Sequence, residues 1–136
     1  MKKYKFSIPL MVRVNDLNYG NHVGHQHYFS FFQEARVAYL KQFGFSELDI
    51  GGLGMIVAEA GCRYKQQLFL NDSITVACAV AELKPKRFTM EYRIKKAEMV
   101  CAEGFTINIC FDYLSQKVAR LPEEFDRLIR EFETLT

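Results

Sequence analysis

The segment from Tyr28 to Phe43 limits the possible folds of this chain more than any other. Tyr28, Phe31, Phe32, Ala35, Ala38, Tyr39 and Phe43 recur at helical spacing. They predict one long helix to about Phe43, apolar on well over half its circumference, with Phe29 and Val37 on the remaining side. A helix that apolar needs cover from a sheet or a partner chain. Gly44 is a natural stop. Ser46 with Glu47 can cap a short turn before Gly51, Gly52 and Gly54 break the chain.

The rest of the sequence supplies a sheet. Lys5 to Asn15 alternates around Phe6, Ile8, Leu10, Val12 and Val14, and Pro9 within it marks an edge or a bulge. Met55 to Leu68, Ser73 to Leu83, Arg87 to Lys96 and Met99 to Leu114 are rich in strand-forming residues. Asn71-Asp72, Lys84-Pro85 and Ala97-Glu98 are the turns between them, and connections this short predict an antiparallel meander. Pro122, Glu123 and Glu124 suit the first turn of a terminal helix whose apolar stripe is Phe125, Leu128, Ile129 and Phe132. The order predicts an α+β fold in which the sheet wraps the long helix.

At 136 residues, 49% of them hydrophobic, the chain is expected to form one domain over residues 1–136 with a substantial core. A net charge of +2 does not decide for or against nucleic acid, so any anion site must come from a local cluster. We expect no nucleic-acid or membrane partner. The N-terminal stretch, MKKYKFSIPLMVRV, alternates after its lysines, so we expect no signal peptide or membrane span, and a cytoplasmic location. Cys62, Cys78, Cys101 and Cys110 lack CxxC spacing and a zinc-finger histidine partner, and are expected as buried, reduced thiols.

Between the first strand and the helix, DLNYGNHVGHQHYFSFFQEAR gathers an Asp, two Asn and three His around glycines. A polar loop feeding a helix N-terminus sets acids, bases and amides beside free backbone N–H groups, a place where a carbonyl can be polarised.

Three stretches, in order, carry a family resemblance: VRVNDLNYGNHVGHQHYFSFFQEAR, MIVAEAGCRYKQQLFLNDSITV, and AELKPKRFTMEYRI followed by VCAEGFTINICFDYLSQKVARLPEEF. The chain resembles the hotdog-fold acyl-CoA thioesterases of the 4-hydroxybenzoyl-CoA thioesterase-like group. The resemblance implies a sheet curled around a central helix, and a homodimer or a tetramer of two dimers with active sites at the dimer interface. It also implies hydrolysis of an acyl-CoA thioester to free acid and CoA, with no metal and no redox cofactor. It departs at one position: where many members carry an Asp that acts as nucleophile or general base, this chain has Asn18, and Asp16 sits two residues earlier. A carboxamide is neither base nor carboxylate nucleophile.

His25, Asn18 and Asp16 are therefore the candidate catalytic residues. Some members have a histidine matching His25 that assists hydrolysis, and the His25 N–H corresponds to their thioester-polarising donor; the plainer role is a helix-start histidine. Asn18 can bond the thioester oxygen, orient a water or simply form a turn. Asp16 can orient His25, act as base or cap the turn. His22 matches a loop histidine that is often structural, and His27 can point either way. Three histidines invite a metal, but no acidic cluster supports one. Glu34 reads as a structural carboxylate pairing with Arg36 or a strand. By resemblance, Lys84, Lys86 and Arg87 meet the CoA phosphates, with Arg63 and Lys65 adding to that surface. Tyr19, Ile56 and Val57 contact substrate. Two alternatives stay open: a non-hydrolytic acyl-CoA or acyl-carrier binder, favoured by Asn18, and a dehydratase using His22 with Glu34.

Overall fold

A computed structural model describes residues 3–136; Met1 and Lys2, which open the stretch read for a signal peptide, lie outside the described residues. Strand β1 (Ser7–Met11) leads through a 3-10 turn at Val14–Asp16 and the polar loop into helix α1 (His25–Lys41). Strands β2 (Gly54–Tyr64), β3 (Ser73–Leu83), β4 (Arg87–Lys96) and β5 (Met99–Asp112) follow, then a two-residue β6 (Lys117–Val118) and helix α2 (Glu123–Glu133). The main path of the sheet runs β1-β3-β4-β5-β2, every pairing antiparallel, with β6 on β5.

Helix α1 packs on both edge strands, β1 and β2, as well as on β3. A straight helix touches both edges of a sheet only when the sheet curls around it. The apolar face of α1 is the reason: Tyr28, Phe31, Phe32, Ala35, Tyr39 and Leu40 are all buried. Phe32 stacks on Tyr92 with centroids 4.5 Å apart, and Gly104 makes room, since a Cβ there would lie 2.5 Å from the Phe32 ring. On the other side of the expected stripe, Val37 remains 43% exposed.

Helix α1 ends in a Schellman motif: Gly44 at φ +83° sends its N–H to Lys41, while the Phe45 N–H reaches back to Leu40 at 3.0 Å. Beyond it no helical turn forms at Ser46; Ser46 and Asp49 pair as a bridge instead, and the Asp49 carboxylate accepts the N–H groups of Gly51 and Gly52. Helix α2 buries Phe125 and Ile129 and lies against β3. It is tied to α1 by the Tyr39 hydroxyl, which donates to Glu133 at 2.5 Å.

Arg36 is 5% exposed, and its Nε donates to Glu47 Oε2 at 2.6 Å. Its Nη1 donates to the Tyr92 hydroxyl, which is 2.7 Å from Thr106 Oγ1. Glu34, expected as a structural carboxylate paired with Arg36 or a strand, is exposed, and Glu47 takes the guanidinium. Cys78, Cys101 and Cys110 are buried, Cys62 is half-buried, and all four are free thiols.

Candidate active site

The loop before α1 is a tight hairpin. Leu17 bridges Val23, the Asn18 N–H donates to the His22 carbonyl at 2.9 Å, and Asn21 turns the chain at φ 63°. The Asn18 carboxamide is spent on this turn: Oδ1 accepts the Gly20 N–H at 2.8 Å, and Nδ2 lies 3.4 Å from His22 Nε2. Gly20 is needed because the His22 ring lies over it; a Cβ would sit 2.8 Å from Cε1. Two backbone bonds fix the hairpin, Val23 N–H to Leu68 and Gly24 N–H to Asp16.

Helix α1 begins at His25. Gly24 is the N-cap of this helix and offers no side-chain hydrogen bond to its first turn. The His27 N–H returns to the Gly24 carbonyl at 2.9 Å, which leaves the His25 and Gln26 amides as the open donors of the first turn. Beside this turn is a cavity of about 270 Å³ lined by Asn18, His22, Val23, His25, Tyr28, Tyr64, Lys65, Gln66 and Gln67. Burial raises the Tyr28 phenol to about 12, with Cys101, Cys62 and Tyr64 adding to the shift. Burial also raises the Tyr64 phenol, and brings the Cys62 thiol up to about 11. These groups stay neutral near pH 7, so Cys62 offers no thiolate.

The structure thus brings His25 and Asn18 together and adds His22. Asp16 stands apart. Its Oδ2 accepts the Arg13 N–H at 2.8 Å, closing the 3-10 turn, and Oδ1 lies 4.0 Å from His27 Nδ1 rather than beside His25. Asp16 instead lines a separate cleft with Phe31 and Glu34. His22 lines the His25 cavity and Glu34 lines that other cleft, so the dehydratase pair does not converge. Tyr19 is fully exposed at the hairpin tip. Ile56 and Val57 are about two-fifths exposed on the edge strand β2, outside the cavity lining.

The cation cluster is also remote within one chain. Arg87 pairs with Ile109, which pairs with Ile56, whereas Tyr64 at the cavity pairs with Ala102. Ile56 and Tyr64 are eight positions apart along β2, about 26 Å of extended chain. Lys84 lines a cleft near the start of α2 with Arg120, Asp126 and Arg130. Lys65 pairs with Glu103 at the cavity rim, while Arg63 faces a different cleft with Tyr4, Glu91 and Phe105. Sequence reasoning did not single out Tyr64, Gln66 or Gln67; only the folding of the β2 end over the start of α1 reveals them. Among the described residues, no three His, Cys, Asp or Glu side chains converge as metal ligands. No helix there is long and apolar enough to cross a membrane.

A family model described as the thioesterase-like superfamily matches residues 12–129. The chain belongs to that superfamily. Its match includes the hairpin, α1 and strands β2 to β5. The acyl-CoA thioesterase YbgC of Haemophilus influenzae is 27% identical over 88% of this chain and 90% of its own length. The 1,4-dihydroxy-2-naphthoyl-CoA hydrolase of Microcystis aeruginosa is 27% identical over 80% of this chain and 81% of its own. Among solved structures, a thioesterase from Thermus thermophilus, complexed with coenzyme A and Zn, superposes with a TM-score of 0.87. It is 23% identical and covers 98% of each chain, a likeness of fold. The α+β hotdog architecture expected from the sequence is thereby established.

Proposed function

We propose that this thioesterase-like protein hydrolyses an acyl-CoA thioester in the cavity at the start of α1. The reading is carried by one observation: His25 and the uncapped first turn of α1 meet a single cavity, in a chain that belongs to a thioesterase family. In this mechanism the thioester oxygen lies on the His25 and Gln26 amides, where its developing charge is stabilised. The His25 imidazole takes a proton from a water molecule whose oxygen bonds to the thioester carbon. Collapse of the tetrahedral intermediate breaks the carbon–sulfur bond, and the imidazolium proton passes to the departing CoA thiolate. The products are a free acid and CoA.

The cavity lining contains no carboxylate, and Asn18 is held by its own turn. That leaves His25 as the base with no acidic partner, and it also favours the second reading, a non-hydrolytic acyl-CoA or acyl-carrier binder. The deciding assay follows thiol release from acetyl-, octanoyl- and benzoyl-CoA. Hydrolysis by the native protein, with kcat lowered about 10²–10⁴-fold in His25→Ala, supports the catalytic reading. An inert native protein in which Asn18→Asp creates turnover marks a binder.

The CoA-binding role of Lys84, Lys86 and Arg87 and the contacts of Ile56 and Val57 require a second copy. Residues 56–60 of β2 are all exposed along a free edge. Antiparallel pairing of two β2 edges sets the Ile56 end of one copy against the Tyr64 end of the other. It carries the β3–β4 turn, level with Ile56, towards the neighbouring cavity. A homodimer built this way completes both sites at once. A tetramer of two such dimers and a cytoplasmic location remain part of the proposal.

A further inference from the structure

We infer that Tyr64 is a positioning residue for thioester hydrolysis, holding the first turn of α1 and its open amides in place. The inference rests on the hydrolytic reading of the cavity. Tyr64 makes three contacts with that turn. Its hydroxyl donates to the His25 carbonyl at 3.3 Å. Its ring stands edge-on to Tyr28, with centroids 4.9 Å apart at 86°, and edge-on to the His25 imidazole at 6.5 Å and 86°. The backbone behind it is anchored, because the N–H groups of Lys65 and Gln66 both donate to the Cys101 carbonyl, at 2.8 and 3.1 Å. The first turn of α1 is thus tied through one side chain to β2 and β5.

The choice of atom matters chemically. The His25 carbonyl shares its peptide group with the Gln26 N–H, one of the two open donors. A hydrogen bond to that carbonyl draws electron density from the peptide and strengthens the N–H as a donor to a thioester oxygen. A phenol is protonated near neutral pH and partial burial raises this one further, so the hydroxyl remains a donor. Tyr64 is 45% exposed at the cavity wall, a position that packing alone does not demand of an aromatic residue. Hydrolysis develops charge on the substrate oxygen only in the transition state, so this support acts on turnover rather than on substrate affinity.

The test is Tyr64→Phe, which keeps the ring and removes the hydroxyl. We expect kcat for CoA release from the best substrate of the acetyl-, octanoyl- and benzoyl-CoA panel to fall roughly fivefold, with KM unchanged within about twofold. We also expect the Gln26 amide resonance in a ¹⁵N-correlated NMR spectrum of the substrate-free protein to move. Unchanged kcat with an unmoved Gln26 amide overturns the inference while leaving hydrolysis intact, and so does a rise in KM alone. A native protein that hydrolyses none of the three esters refutes the hydrolytic reading and the catalytic part of the inference. The Gln26 resonance then shows separately whether the hydroxyl holds the turn.

Discussion

Asp16 separates a structural from a catalytic reading of the polar loop, and two substitutions distinguish them. Its carboxylate closes the turn after β1 by accepting the Arg13 N–H at 2.8 Å, and it lies 4.0 Å from His27. Asp16→Ala deletes that acceptor and leaves a backbone donor without its partner at a site where the side chain is 10% exposed. Loss of a cap of this kind costs about 1–2 kcal/mol. With an unfolding entropy of about 2.1 cal/mol/K per residue, a chain of 136 residues loses about 3–7 °C in Tm. Asp16→Asn keeps an oxygen for the Arg13 N–H, so its Tm is expected within about 3 °C of native. Turnover of acyl-CoA by Asp16→Asn should stay within about twofold of native, since Asp16 faces neither His25 nor its cavity. The assays are thermal unfolding followed by circular dichroism and initial rates of thiol release. An Asp16→Asn protein of native Tm whose kcat falls a hundredfold refutes the reasoning and makes Asp16 the base.

Arg36→Ala removes the buried guanidinium that joins Glu47 to the Tyr92 hydroxyl, leaving Glu47 with Gln33 and Tyr92 with Thr106, and urea unfolding should show a loss of about 2–3 kcal/mol; a loss below about 1 kcal/mol contradicts the pairing. Glu103 is held below the ordinary carboxylate range by hydrogen bonding to Lys65, against a smaller opposing effect of burial, with Arg93 helping to lower it. Because its folded pKa is lowered, its contribution is complete above the ordinary carboxylate pKa and is lost as pH falls through the folded value. Native Tm should therefore drop more steeply than that of Glu103→Gln below about pH 4, and parallel curves refute this. Val57→Asp puts a charge on the free β2 edge. It should convert a dimer to a monomer by light scattering and abolish turnover, whereas a native protein that runs as a monomer ends the edge-pairing model.

The fold was legible because its signals are local. The stripe from Tyr28 to Tyr39, the Gly44 stop and the individual strands are each specified within a dozen residues, and the structure places them as the periodicity predicts. The expected four-strand meander holds only for β3–β4–β5: β2 pairs with β5 at the far edge, so Asn71-Asp72 leads into β3 without joining neighbouring strands, an order set by long-range pairing rather than by local pattern. Pro9 does lie in an edge strand. Boundaries shifted where a distant partner decides them. The strand expected from Met55 to Leu68 stops at Tyr64 because the Lys65 and Gln66 amides turn to one carbonyl on β5. The strand expected over Lys5–Asn15 shortens to Ser7–Met11 because Asp16 captures the Arg13 amide in a turn. β6 is only two residues long and exists through pairing with Phe111 and Asp112, a contact no local pattern encodes.

The site was legible only in part, for the same reason. His25 and Asn18 sit in one local loop, so their meeting could be read from spacing. Tyr64 reaches His25 across 39 positions of chain. The cations near Lys84 and the edge residues Ile56 and Val57 converge with His25 in no single chain. A loop motif presents the proposed base, His25, whereas the pocket around it depends on strand register and on what covers the free edge of β2. Substrate selection in this protein is therefore expected to respond more to substitutions along the free edge of β2 than to changes in the hairpin that presents His25.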